Sequence, residues 1–467
     1  MPPVIVPANR TTMPPPTGLL DTLGLHRPEL RAWAMYDWAN SAMVLVIMTA
    51  VFPIYYGTVA GEGHGTAAEE AWYPLSKSLA TAIVAVLSPV LGSIADFTAT
   101  RKRCLATCVG VGAASVAAMF FIGPGEIVLA SILFVIASGA VSLSFVFYES
   151  LLPHIASADE VDRVSTAGYA VGYFGSGLLL IVILFWIQKP EWFGFPVGEG
   201  LGPAQNSLPW RTAFVAVAIW WVLFSIPLFR TVGEPPRARE RDERVEQSPL
   251  RAAIARLGET FHDIRRFRQT FLLLLAFLLY NDGISTIISM AAIYASETLG
   301  IAHFHLILAI LIVQFVGVPC AFLFGMLAGR IGTKPSILVG LAAYCAITVF
   351  GYFMTSAAHF YVLAVAVGLV QGGTQALSRS LFARMVPRHK ASEFFGFFSV
   401  FAKFAGIFGP VVWMAFVQLS GEPRGGILSV IIFFIAGGTL LLFVNVHEGE
   451  RVARAADAVT MSSPTLR

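Results

Sequence analysis

Twelve runs of about 20 apolar residues dominate this chain, and a helix of about that length is what crosses the hydrocarbon of a bilayer. They fall at 36–60, 75–96, 104–123, 127–149, 166–188, 211–229, 270–296, 304–328, 335–355, 359–382, 394–418 and 425–446. Composition agrees: 56% of the residues are hydrophobic and 13% charged, against about 25% charged in a soluble domain. The pattern predicts an all-α polytopic membrane protein with lipid as its solvent. A net charge of +3, spread along the chain, carries no nucleic-acid signal.

One internal segment, 230–269, is polar, with 10 Arg against 7 Asp and Glu. It divides the runs six and six. The expected organisation is a disordered tail (1–30), a six-helix bundle (31–229), a linker (230–269) with a short surface helix over 250–261, a second six-helix bundle (270–446) and a tail (447–467). Of the 31 Lys and Arg, four (Lys77, Lys189, Arg211, Arg424) fall on one side, two (Arg379, Lys403) lie inside runs, and the rest fall on the side of the termini. Basic residues mark the cytoplasmic side. Both termini are therefore expected in the cytoplasm, in a bacterial inner membrane, and no cleaved signal peptide is expected.

An even split suggests duplication. The turn after the second run reads Gly92-Ser-Ile-Ala-Asp96-Phe-Thr-Ala-Thr-Arg101-Lys102, and the turn after the eighth reads Gly325-Met-Leu-Ala-Gly329-Arg330-Ile-Gly332-Thr-Lys334. Both resemble the loop signature of the major facilitator superfamily. The first copy has Ala99 where Gly is usual, and the second has Gly329 in place of the acid. The resemblance implies a gate in which Asp96 pairs with Arg101 or with the other bundle and releases on switching. A topology-fixing role for the charges is the plain alternative.

Four further strings narrow the resemblance: Tyr36-Asp-Trp-Ala-Asn-Ser-Ala42, Tyr280-Asn-Asp-Gly283, Gln371-Gly-Gly-Thr-Gln-Ala-Leu-Ser-Arg-Ser380 and Phe394-Phe-Gly-Phe-Phe-Ser-Val-Phe-Ala-Lys-Phe-Ala-Gly406. Together they resemble the "unidentified major facilitator" family, which includes autophagy-linked vacuolar amino-acid effluxers of fungi. The resemblance implies two pseudo-symmetric bundles working by alternating access and a polytopic secondary carrier. It makes amino acids the leading solute class.

Polar groups inside membrane helices are costly and mark function. Asp282, with Asn281, lies near mid-bilayer. It reads either as a proton or substrate group or as half of a static ion pair with Lys403 or Arg379. Arg379 suits an anionic group, or snorkels to the headgroups. Lys403 sits nine residues into its run with no easy exit. Gln371 and Gln375 share a helix face, expected to line the cavity. Tyr36, Asp37 and Asn40 form the corresponding cluster in the first half, where Asp37 reads equally well as a helix-start acid. Glu149, with Tyr148 beside Pro153, reads as a helix-end charge first and as a cytoplasmic gate contact second.

No P-loop and no nucleophile elbow is present. Cys104 and Cys108, and His303 and His305, are not expected to bind metal. The function expected is secondary transport of a small polar solute, with protons as a possible second partner. A drug or sugar exporter and a non-transporting sensor or assembly factor are the alternatives. No cofactor and no enzyme activity is expected, and a monomer is.

Overall fold

The computed structural model describes residues 18–65, 68–198, 201–236 and 266–461. The expected surface helix at 250–261, with the rest of 237–265 and residues 1–17 and 462–467 of the two ends, lies outside the described residues. Among the described residues, twelve helices are long and apolar enough to cross a membrane. They are α1 (Pro28–Ala60), α2 (Tyr73–Thr98), α3 (Arg101–Phe121), α4 (Ile127–Ile155), α5 (Val161–Gln188), α6 (Leu208–Thr231), α7 (Arg268–Thr298), α8 (Phe304–Ile331), α9 (Thr333–Tyr352), α10 (Ala357–Met385), α11 (Arg388–Ser420) and α12 (Arg424–Phe443). A further helix, α13 (Val446–Met461), follows.

The helices form two six-membered bundles. In the first, α1 packs on α5 and α6, and α3 on α4 and α6; in the second, α7 packs on α12, and α10 on α8 and α9. Direct packing between the bundles runs through α5 against α8 and α10, and through the first half of α11 against α2 and α4. The chain enters α1 and leaves α12 on the same side, here called the terminal face.

Three departures from the sequence reading matter for the site. First, α11 is not continuous. It comprises Ala391–Phe404 and Phe408–Ser420, with Ala405 extended and Gly406 at φ +99° between them. A side chain at Gly406 would be strained in that conformation, and Pro410, lacking an N–H, suits the first turn of the second half. Lys403 therefore ends a half-helix instead of lying deep in an unbroken one. Second, α1 widens to π-helix over Met43–Val51, directly after the polar cluster. Such wide turns recur at functional sites. Third, the described parts of the two ends are more structured than tails would be. Arg27 pairs with Glu160, and α13 packs on α10, where the His389 ring meets Asp457 at 2.8 Å.

The two basic turns do the same mechanical work in each bundle. Lys102 Nζ donates to the carbonyls of Phe229, at 3.0 Å, and Val232 at the end of α6. Lys334 Nζ donates to those of Leu442 and Val444 at the end of α12, at 2.7 and 2.9 Å. A lysine ammonium satisfies carbonyls that a helix end leaves open and opposes the negative end of its dipole. Ala99, where glycine was the expected residue, adopts φ +52° and is the one non-glycine residue with positive φ among the described residues.

Candidate functional site

A cluster of buried charges meets between the bundles near the terminal face. Arg379, on α10, is 1% exposed. Its Nη1 and Nη2 both donate to Asp37 Oδ2 of α1 at 3.2 Å. Its Nε donates to Ser165 Oγ and its Nη2 to the Ser165 carbonyl of α5, both at 2.9 Å. Glu149 Oε1 of α4 lies 3.9 Å from Nη1. Three rings from the first bundle surround the guanidinium: Tyr169 at 4.6 Å, Trp33 at 4.7 Å and Tyr148 at 5.8 Å from centroid to Cζ. Aromatic faces attract such a cation further. Gly168 leaves the room required, since a Cβ there would stand 2.4 Å from Asp37 Oδ2.

Two of the sequence expectations change here. Arg379 does not snorkel to the headgroups; it is enclosed by protein. Asp37 is not a solvated helix-start acid but the buried counter-ion of the opposite bundle. Removing one partner of such a pair strands the other and costs about 3–5 kcal/mol.

Two further interlocks flank this pair. Asp96 at the end of α2 accepts from Arg101 Nε at 2.8 Å, and across the bundle boundary from the backbone N–H of Ser392 at 3.2 Å and of Glu393 at 2.9 Å. The carboxylate thus sits on the positive end of α11. Arg101 Nε also reaches Ser392 Oγ at 3.0 Å. The bundles touch at Gly92, where a Cβ would be 2.2 Å from the Ser392 carbonyl oxygen. On the other flank, Asp162 of α5 accepts from Ser380 Oγ at 2.5 Å and from Thr333 Oγ1 at 2.6 Å, with Arg384 at 3.6 Å. The acid missing from the second basic turn is thus supplied by the first bundle. Gly325 lies close against Thr166, Gly332 turns the chain at φ +93°, and Arg330 is exposed.

Deeper in the molecule Asp282 is fully buried, but pairs with neither Lys403 nor Arg379. It accepts from the backbone N–H of Phe408 at 3.1 Å and of Gly409 at 2.8 Å. It therefore caps the second half of α11 at the break. Gln375 Nε2 donates to Asn281 Oδ1 at 3.3 Å, joining two of the expected cavity residues. Gln371 and Lys403 are partly exposed. Tyr280 and Ser378 share a hydrogen bond of 2.6 Å, and Tyr36 stacks obliquely on Tyr148. The Asn40 amide is buried with no hydrogen-bond partner among the described residues. The sequence reading missed Ser165, Asp162 and Ser392 and undervalued Glu149.

A family model described as "Vacuole effluxer Atg22 like" matches residues 25–454. The chain belongs to that family. Among the Atg22-like chain's relatives is the uncharacterised MFS-type transporter YxiO of Bacillus subtilis (strain 168), 36% identical over 91% of this chain and 96% of the relative. Autophagy-related protein 22 of Yarrowia lipolytica (strain CLIB 122 / E 150) is 26% identical over 64% of this chain and 52% of the relative, so the chain matches about half of that fungal protein's length. Among solved structures, the proton:xylose symporter XylE superposes with a TM-score of 0.65 at 16% identity, over 93% of this chain and 98% of that one. A bacterial homologue of the iron transporter ferroportin in its outward-facing state gives 0.61 at 13%, over 89% and 98%. The Atg22-like chain is a multi-pass integral membrane transporter of the major facilitator superfamily, with the superfamily's fold.

Proposed function

We propose that the protein is a secondary active transporter carrying a small polar solute, amino acids first among the classes, by alternating access between its two bundles. The observation that carries this reading is the stacking of two kinds of polar residue along the bundle boundary. Near mid-depth Asn281, Gln375, Gln371 and Lys403 offer amide and ammonium groups suited to a carboxylate or amino group. Nearer the terminal face the Asp37–Arg379 pair and the Asp96 and Asp162 interlocks are bonds between bundles that opening would have to break. In this reading the basic residues place the terminal face in the cytoplasm, and the membrane is the bacterial plasma membrane. The working unit is a monomer. Asp282 fixes the half-helix beside the solute and does not itself carry it.

Amino acids lead because the family resemblance includes fungal vacuolar amino-acid effluxers. The test is a thermal-shift and uptake panel of amino acids, dipeptides and sugars on purified protein in vesicles. Stabilisation and uptake by one or more amino acids support the reading. A response confined to sugars or to hydrophobic drugs moves the solute class, and no uptake of any solute in either direction removes the carrier function.

A further inference from the structure

We propose that Glu149 is the proton-binding group of this carrier, and that its protonation favours the shut terminal-face gate; the proposal deepens the transporter reading above and rests on it. The argument is a charge count. Arg379 brings one positive charge into the enclosed site, while Asp37 and Glu149 bring two carboxylates. Asp37 takes the guanidinium with two hydrogen bonds. Glu149 remains at 3.9 Å from Nη1, outside hydrogen-bond distance. The three ring faces around the guanidinium add negative potential. They favour the cation and disfavour a second anion.

With both acids ionised, the buried cluster carries one uncompensated negative charge, the arrangement that proteins avoid. With a proton on Glu149 the cluster is neutral. The step is H⁺ from solvent adding to one carboxylate oxygen of Glu149, with no other bond made or broken. When the gate opens, Arg379 leaves with the second bundle. Asp37 and Glu149 stay on the first, exposed to water, and Glu149 releases its proton there.

The charged and titratable groups around Glu149 are Arg379 from α10, Asp37 from α1, Tyr169 from α5 and its own neighbour Tyr148. Further along the same boundary stand Asp96 and Arg101 from α2 and α3, Glu393 from α11, His154 at the end of α4, and His389 with Asp457 of α13. The histidines and Asp457 are ionisable groups of the same face, so the test must isolate Glu149.

The sign follows from linkage. A proton bound in the shut state and released in the open one makes the shut state lose ground as pH rises, by at most tenfold in the shut-to-open ratio per pH unit. The experiment needs no solute. Spin labels go on cysteines introduced at the exposed Ala158 and Arg330, one on each bundle at the terminal face, in a background with Cys104, Cys108, Cys320 and Cys345 replaced by serine. Inter-label distances are measured in lipid nanodiscs from pH 5 to pH 9. The wild type should shift from short to long distances as pH rises. Glu149→Gln, which keeps the shape of the protonated acid, should stay short throughout. Asp37→Asn leaves a single carboxylate for Arg379, and its pH response should vanish. A Glu149→Gln protein that opens with pH as the wild type does, or a wild type indifferent to pH, overturns the proposal. Failure of the solute panel with an intact pH response would instead discard the transport reading and leave Glu149 as a proton site.

Discussion

Replacing Asp96 by Asn keeps the shape of the side chain but removes its charge and one of its two acceptor oxygens. In the shut gate both oxygens are used. Oδ1 takes Arg101 and the Ser392 N–H, and Oδ2 takes the Glu393 N–H at 2.9 Å. Only the bonds to Ser392 and Glu393 cross the bundle boundary, so only they bear on the shut-to-open equilibrium. Losing one hydrogen bond to a charged group costs about 1.5–3 kcal/mol, and losing the charge at a helix N-terminus about 0.3–1 kcal/mol more. The shut state should therefore weaken by roughly 2–4 kcal/mol, a change of about 30- to 1,000-fold in the shut-to-open ratio. The Arg101 pair lies within one bundle and weighs on folding instead. The assay is the Ala158–Arg330 label distance in nanodiscs, read beside uptake in vesicles and the yield of folded protein. Asp96→Asn should lengthen the distance and lower transport more than it lowers yield. Distances and uptake unchanged from wild type would refute the latch and leave Asp96 as a topology signal.

Three smaller tests follow from the same geometry. Gly92→Ala places a Cβ 2.2 Å from a backbone oxygen of the other bundle, so it should hold the label pair apart while leaving each bundle's helicity, read by circular dichroism, intact. Ala99→Gly relieves a left-handed backbone at φ +52° that costs an ordinary residue about 1–2 kcal/mol; thermal unfolding in detergent should show a net gain of up to about that size, offset in part by glycine's greater freedom in the unfolded chain. Asp282→Ala leaves the Phe408 and Gly409 N–H groups without their acceptor, and the cost of about 0.5–2 kcal/mol expected for a lost helix cap should appear as a lower melting temperature, with Asp282→Asn falling between it and wild type.

The twelve spans could be read from the sequence because a membrane helix announces itself by length and apolarity alone. What could not be read is which residues face each other across the bundles. Depth in the membrane is the guide to function that a sequence offers, and it points to Asp282 before Asp37. Yet the deeper acid caps a half-helix, while the shallower one holds the buried arginine. Glu149, Asp162 and Ser392 sit at span ends, where a charge or hydroxyl usually means only a boundary, and their partners in the other bundle are 171 or more residues away in sequence. The break in α11 did leave a trace, Gly406 followed by Gly409-Pro410. It was lost among the many glycines that membrane helices tolerate.

The lysine caps bear on how the molecule is made. Lys102 lies early in the first bundle and closes the end of that bundle's last helix; Lys334 does the same for α12. Each half therefore holds, within its own sequence, the group that seals its final carbonyls. The first six helices can finish their terminal edge before α7 leaves the ribosome, with nothing borrowed from the second half. What remains after synthesis is the joining of two completed pieces, and the contacts of Arg379 and Asp162 across the boundary, with those of Asp96 to Ser392 and Glu393, form only at that last step.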